Sequence, residues 1–301
     1  MTLKLMDIGF VGLGTMGQPM AVNLIKAGFN VHGYDLFPEK AQDFVQTGGK
    51  MLASPKDVAA ASQVVVTMIN DLPNLEDVLF GAAGCVRGLR DDLIFIDAST
   101  IAPNDIRKIH ARLLEKGCEL LDAPVSGGSK GATDGTLTIM VGGDAATFET
   151  CRPVLEAMSA RLTYMGPSGA GQATKLCSQI MLGINTLGVS EALMLASREG
   201  IDLDRMIEAL VVGAGESRML RNHAGNMARN SFPGKFPIKL IQKDFKLVNQ
   251  TLIEDNLSLP GASLVLQLYN SVAASEPTAG HEGLLIALEK LNGFEVGHYK
   301  A

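Results

Sequence analysis

The sequence predicts an α/β protein: an N-terminal, doubly wound and mainly parallel sheet, then a long helix, then an all-α remainder. Three observations carry this. From residue 5 to about 165, short β-branched or apolar runs alternate with helix-like segments, the pattern of βαβ units. After about residue 167 the alternation stops and only helical periodicity remains. A glycine-rich turn follows the first apolar run, at the carboxyl end of a strand, where doubly wound sheets bind ligands.

Taken in order, strands are expected at LMDIGFVG (5–12), NVHGYD (30–35), QVVVTMI (63–69), LIFIDAS (93–99), CELLDAPV (118–125), TLTIMVGG (136–143) and RLTYMG (161–166). Helices with apolar residues near three-to-four spacing are expected at 16–28, 38–49, 73–81 and 103–117. GPSGAG (166–171) punctuates the chain with Gly and Pro, and 169–199 then reads as one long helix. Further helices are expected near 202–212, 216–229, 238–256, 260–275 and 281–292. The expected organisation is a first domain over 1–167, an interdomain helix over 168–199 and a helical domain over 200–301, in keeping with a length of 301 residues.

Composition narrows the function classes. Hydrophobic residues make up 47% and charged ones 19%, with no Trp, which describes an aliphatic globular protein rather than a disordered one. A formal net charge of −6 gives no general attraction to nucleic acid or anionic membrane. No run reaches about 18 uninterrupted apolar residues, and MTLKLMDIGFVGLG reads as a first strand rather than a signal peptide. Cys85, Cys118, Cys151 and Cys177 form no CxxC pair and read as free thiols of a reducing compartment. The five histidines show no HxxH or HExxH spacing, so no metal is expected. A cytoplasmic enzyme or binding protein remains.

GFVGLGTMGQPM (9–20) sets Gly12, Gly14 and Gly17 in G-x-G-x-x-G spacing between a strand and a helix. Gly12 permits the tight turn, Gly14 lets backbone approach a pyrophosphate, and Gly17 permits close helix-to-strand packing, while the helix N-terminus favours the anion. Leu13, Thr15 and Met16 complete the cofactor loop. Asp35 closes the second strand, where a carboxylate accepts from a ribose 2′-OH and repels a 2′-phosphate; no Arg follows in DLFPEK, so NAD is expected over NADP. The competing reading of Asp35 is a cap on the helix beginning near Pro38.

DAPVSGGSKGA (122–132) ends another strand with Ser126, Gly127 and Gly128, a hydroxyl followed by two glycine N–H groups suited to a substrate carboxylate; an ordinary Gly-rich turn is the competing reading. On the long helix, Gln172, Lys175, Gln179, Gly183, Thr186 and Ser190 recur at steps of three and four as one polar or small stripe. Ala173, Leu176, Ile180, Ile184 and Leu187 form an apolar stripe beside it. A polar stripe this narrow reads as the wall of a cleft, and a desolvated lysine on it is a candidate proton carrier, with Gln179 one turn on to orient it. The competing reading of Lys175 is a solvated surface residue with a snorkelling stem.

With these motifs in view, the chain resembles the β-hydroxyacid dehydrogenase family, the group of 3-hydroxyisobutyrate dehydrogenases and tartronate semialdehyde reductases. The likeness spans essentially the whole length: GFVGLGTMGQPMAVNLIKAG matches the opening fingerprint, DAPVSGG the substrate turn, GAGQATKLCSQ the catalytic helix, and KDFKLV (243–248) a second Lys-Asp motif. The resemblance implies a Rossmann-type domain, an interdomain helix and a helical domain, in homodimers or homotetramers. It implies that Lys175 is the general acid/base, that Ser126, Gly127 and Gly128 hold the substrate carboxylate, and that Gln179 supports lysine and substrate. Met68, Ile69 and Thr100 match cofactor-contacting positions, and Lys243 resembles the residue that closes over the nicotinamide side. Two departures stand out: Ile69-Asn70 where the family often shows Leu-Pro, and Gln179 where 3-hydroxyisobutyrate enzymes usually carry Asn. Gln179 and HEGLLIALEKLNGFEV (281–296) are closer to the reductases.

The expected activity is hydride transfer between a nicotinamide and a small β-hydroxy acid or semialdehyde, with tartronate semialdehyde and glycerate the first choice. 3-Hydroxyisobutyrate, succinic semialdehyde and glyoxylate are the alternatives within the class. A 6-phosphogluconate dehydrogenase is disfavoured, since that family has a much longer helical domain, and Lys175 argues against an imine reductase. The alternative outside the class is an NAD-binding interaction protein without catalysis, and Lys175 argues against that as well.

Overall fold

The computed structural model describes residues 6–90, 92–233 and 236–297. The chain divides into two compact units, Met1–Lys175 and Leu176–Ala301, and the division falls within one long helix.

The first unit holds the strands β1 (Asp7–Val11), β2 (Asn30–Tyr34), β3 (Lys50–Met51), β4 (Val64–Thr67), β5 (Ile94–Asp97), β6 (Glu119–Asp122), β7 (Val125–Ser126), β8 (Leu137–Gly142) and β9 (Ser159–Gly166). Its helices are α1 (Gly17–Lys26), α2 (Gln42–Gln46), α3 (Pro55–Ala60), α4 (Leu72–Phe80), α5 (Pro103–Leu114), α6 (Gly128–Asp134) and α7 (Ala145–Glu156). The strand order is β3-β2-β1-β4-β5-β6-β8-β7, with β9 beside β8. From β3 to β6 every pairing is parallel; β8 runs antiparallel to β6 and β7 and parallel to β9. The order reverses between β1 and β4, the switch point at which such sheets bind ligands.

Two apolar clusters cover the unit's sheet. One joins Ile8, Phe10, Leu24 and Val66 to Val141 and Leu155, and the other joins Val65, Leu79 and Phe95 to Ile106 and Leu120. All of β4 is buried, as expected of a central parallel strand covered on both faces. CELLDAPV, read as one strand, splits into β6 and β7 around Ala123–Pro124. Pro124 has no N–H to continue the ladder, and its carbonyl instead accepts from Met140 N at 3.2 Å.

α8 (Ala170–Arg198) is followed by α9 (Leu203–Leu210), α10 (Arg218–Met227), α11 (Ile238–Glu254), α12 (Pro260–Ser275) and α13 (Leu284–Asn292), around a core that includes Met227, Ile241, Phe245, Val265, Tyr269 and Leu285. Asp202 and Ser217 cap α9 and α10 by accepting from Arg205 N and Leu220 N. Among the described residues, only α8 is long and apolar enough to cross a membrane by length and composition, and half of its most apolar window is buried within the protein. The four cysteines are free; burial pushes the Cys85 and Cys151 thiols up to about 12, so both stay protonated and unreactive at neutral pH.

Candidate active site

The glycine loop occupies the expected place. β1 ends at Val11, Gly12 turns the chain at φ +95°, and α1 begins at Gly17. A Cβ on Gly12 would stand 2.3 Å from the Met68 carbonyl oxygen, and one on Gly17 would stand 1.8 Å from the carbonyl oxygen of Gly12, so neither position admits a side chain. Gly14 instead faces open space, and Thr15 beside it is exposed. Leu13 is buried and Met16 half-buried.

Asp35 ties this loop to β2. Its Oδ2 accepts from Leu13 N at 2.6 Å and its Oδ1 from Phe37 N at 2.8 Å. The second bond reaches Phe37, the residue before the short 3₁₀ turn Pro38–Lys40, which has no side-chain cap, so Asp35 closes a local Asx-type turn rather than capping a helix. A carboxylate has about four acceptor positions; these two bonds leave acceptor capacity for ribose hydroxyls. An open glycine turn at a helix N-terminus with this carboxylate beside it fits a dinucleotide.

A second set of contacts joins β4, β5, β6 and the first turn of α8. Asp97 Oδ1 accepts from Thr67 Oγ1 at 2.7 Å and from Ser99 Oγ at 2.6 Å, while Ser99 Oγ accepts from Ile69 N at 2.9 Å. Gln172 donates through Nε2 to Ser99 O at 2.9 Å and accepts at Oε1 from Ile101 N at 3.1 Å. Asp122 accepts from Gly169 N at 2.7 Å and from Gln172 N at 2.9 Å. Burial pushes the Asp122 carboxyl up to about 6, against those two N–H donors and with a smaller push from Asp97. Met68, Ile69 and Thr100 are half-buried on the two loops that this network anchors.

Lys175 lies in the second turn of that helix. It is only 8% exposed, so it is no solvated surface lysine, and its Nζ donates to Val125 O at 2.9 Å. Val125 leads directly into Ser126, Gly127 and Gly128, with the two glycines at φ +140° and +64°. The ammonium is thereby fixed beside the predicted carboxylate turn.

Along α8 the polar stripe is the buried one: Gln172, Lys175, Gln179, Thr186 and Ser190 are all buried. In the apolar stripe Leu176 and Leu187 are buried, whereas Ala173 and Ile180 are only half-buried and Ile184 is exposed. In the helical unit Gln179 Nε2 donates to Asp244 Oδ2 at 2.5 Å, and Lys243 Nζ stands 3.3 Å from Asp244 Oδ1. Asp244, passed over in the sequence reading, links Gln179 to Lys243. Its signal in the sequence is the Lys-Asp pair of KDFKLV.

The comparisons with known proteins match both halves of the chain. Residues 7–166 match the NAD binding domain of 6-phosphogluconate dehydrogenase, and residues 169–288 match the NAD-binding family of NADP-dependent 3-hydroxyisobutyrate dehydrogenase. The 2-hydroxy-3-oxopropionate reductase of Escherichia coli is 39% identical over 94% of this chain and 97% of its own. This chain belongs to the 3-hydroxyisobutyrate dehydrogenase family. The 3-hydroxyisobutyrate dehydrogenase of Pseudomonas aeruginosa is 37% identical over 92% of this chain and 95% of its own. The solved Mycobacterium tuberculosis 3-hydroxyisobutyrate dehydrogenase with L-serine superposes with a TM-score of 0.87 at 30% identity, over 95% of this chain and 99% of that one. A family member of this fold is an oxidoreductase that uses a nicotinamide dinucleotide on hydroxyl-bearing substrates.

Proposed function

We propose that this family member interconverts tartronate semialdehyde (2-hydroxy-3-oxopropionate) and glycerate with NAD(H), Lys175 serving as the general acid/base. The observation that carries the reading is the buried Lys175 ammonium bonded to Val125 O, next to the Ser126-Gly127-Gly128 turn. The printed name of the 39%-identical Escherichia coli relative supports the choice of substrate. A bound nicotinamide dinucleotide supplies or accepts the hydride. Ser126 Oγ and the N–H groups of Gly127 and Gly128 hold the substrate carboxylate. In reduction Lys175 gives a proton to the aldehyde oxygen as the carbon gains hydride; in oxidation it takes that proton back. Gln179, oriented by Asp244, supports lysine and substrate, and Lys243 closes over the cofactor. Gly12, Leu13, Gly14, Thr15, Met16 and Gly17 hold the pyrophosphate, while Met68, Ile69 and Thr100 flank the nicotinamide. The domains function as a dinucleotide-binding domain over 1–167, an interdomain helix over 168–199 and a helical substrate and oligomerisation domain over 200–301, in a cytoplasmic homodimer or homotetramer.

The test is a spectrophotometric panel following NADH and NADPH with tartronate semialdehyde, glyoxylate, succinic semialdehyde, and, in the oxidising direction, 3-hydroxyisobutyrate and threonate. The highest kcat/KM is expected with NADH and tartronate semialdehyde. Faster oxidation of 3-hydroxyisobutyrate would move the chain to the other branch of its family, and cofactor binding without turnover of any substrate would make it a binding protein.

NAD is the proposed cofactor because Asp35 places a carboxylate beside the glycine loop. Asp35→Ser is expected to shift the kcat/KM ratio of NADH over NADPH by about tenfold towards NADPH, the worth of roughly one charge-assisted hydrogen bond. An unchanged ratio would remove Asp35 from cofactor selection and leave it as a brace for Leu13 N.

A further inference from the structure

The helical unit contains a buried polar cluster for which the proposed chemistry has no use. His223 lies on α10; His281 and Glu282 lie in the 3₁₀ turn His281–Gly283 that leads into α13. His281 is 6% exposed and Glu282 2%, while His223 is half-buried at the edge. Nδ1 of His223 stands 3.4 Å from Glu282 Oε1, Nδ1 of His281 stands 3.0 Å from Glu282 Oε2, and the donor atoms of all three lie within 4.8 Å of one another. Proximity is not matched by alignment: Nδ1 of His281 and Oε2 of Glu282 are buried without a hydrogen-bond partner. Two orphaned donor atoms inside an apolar core are costly unless a further group satisfies them.

The turn that presents them is fixed by its backbone. His281 N donates to Phe236 O at 3.0 Å, Ile238 N to Ala279 O at 2.9 Å, and Pro237 bridges Gly280. The His281 ring is held edge-on between His223, at 4.9 Å between centroids, and Phe236, at 5.7 Å.

We propose that His223, His281 and Glu282 form a three-ligand site for a divalent transition-metal ion of the zinc class. Two imidazole nitrogens and one carboxylate oxygen suit zinc or cobalt and not magnesium or calcium, which prefer all-oxygen shells. Bonds of about 2.0–2.2 Å in tetrahedral geometry put ligand atoms roughly 3.3–3.5 Å apart; one donor atom from each of the three residues lies within 4.8 Å of the others, so binding an ion draws the three side chains together by about an ångström. The fourth position falls to solvent on the half-buried His223 side. Sequence spacing pointed to no metal because it detects only neighbouring ligands, whereas His223 and Glu282 are 59 residues apart.

The test uses tag-free, chelator-treated full-length protein titrated with Co²⁺, read by its visible ligand-field absorption, and with Zn²⁺ by calorimetry. One ion per chain, four-coordinate by its cobalt spectrum, is expected in the wild type. His223→Ala, at a half-buried position that tolerates truncation, and Glu282→Gln, which keeps the side-chain shape, are both expected to lose that spectrum. His110→Ala, which removes a histidine paired with Glu119 in the other unit, is expected to keep it. Absence of the spectrum in the wild type, or its survival in both His223→Ala and Glu282→Gln, overturns the proposal.

Discussion

Replacing Lys175 with alanine is expected to lower kcat by about two to four orders of magnitude, the usual worth of a positioned general acid, while NADH affinity stays close to that of the parent. Cofactor affinity should persist because the elements proposed to hold the dinucleotide, the turn after β1 and Asp35 after β2, brace each other through the bond from Leu13 N to Asp35 Oδ2. The truncation also leaves Val125 O without its ammonium donor, a cost of about 1–3 kcal/mol in stability, so thermal unfolding has to be followed alongside turnover. Lys175→Arg separates charge from proton transfer. A guanidinium keeps the positive charge but does not give up its proton near neutral pH, so the variant should bind substrate and remain slow. Turnover retained by Lys175→Ala would end the acid/base assignment. Equal losses of kcat and NADH affinity would recast the lysine as a packing residue.

Much of this was legible because it is local. The G-x-G-x-x-G turn, the Asp that ends β2 and the Ser-Gly-Gly turn after β7 are each short runs whose chemistry is set by neighbours in sequence. The phase of α8 was legible as well, since a stripe at steps of three and four identifies one face, and that face is buried. The elements that escaped were short or ambiguous: α3 is six residues long, α6 is seven with two glycines, α7 carries Pro153 inside it, and β3 is two residues. What no local pattern reveals is the tertiary polar network. Gln172 reaches Ser99 across 73 positions, Asp122 reaches Gln172 across 50, and Gln179 reaches Asp244 across 65. The stripe on α8 marks Gln172 and Gln179 as polar positions, but the partner of each exists only once strand ends and helices far apart in sequence are set side by side.

Asp122 gives that network its sharpest consequence. Its two carboxylate oxygens hold Gly169 N and Gln172 N at the start of α8, and a Cβ on Gly171 would stand 2.4 Å from Met140 O, so the first turn is seated directly on β6 and β8. Asp122→Ala strands two buried N–H groups at about 1–3 kcal/mol each, a loss of about 2–6 kcal/mol. It is also expected to cut kcat by about a hundredfold, since a shift of about 1 Å in a positioning element costs that much, and Lys175 follows on the next turn. Asp122→Asn isolates the charge. The native carboxyl takes up its proton at about 6 and the unfolded one at 3.8, so between these values the native state binds more protons. Protonation of Asp122 therefore adds stability as pH falls through 6, and its ionisation subtracts that stability as pH rises. The shift of about two pH units corresponds to about 3 kcal/mol. An amide does not titrate, so the wild type should gain stability over Asp122→Asn as pH is lowered from 7 to 4, as read by thermal unfolding of both proteins across that range. Turnover should move the opposite way in the wild type alone. Protonation turns one acceptor oxygen into a donor facing a backbone N–H, loosening the turn that leads into Lys175. A stability difference that stays constant over the range would mean that Asp122 titrates alike in both states, and that its hydrogen bonds fully offset its burial.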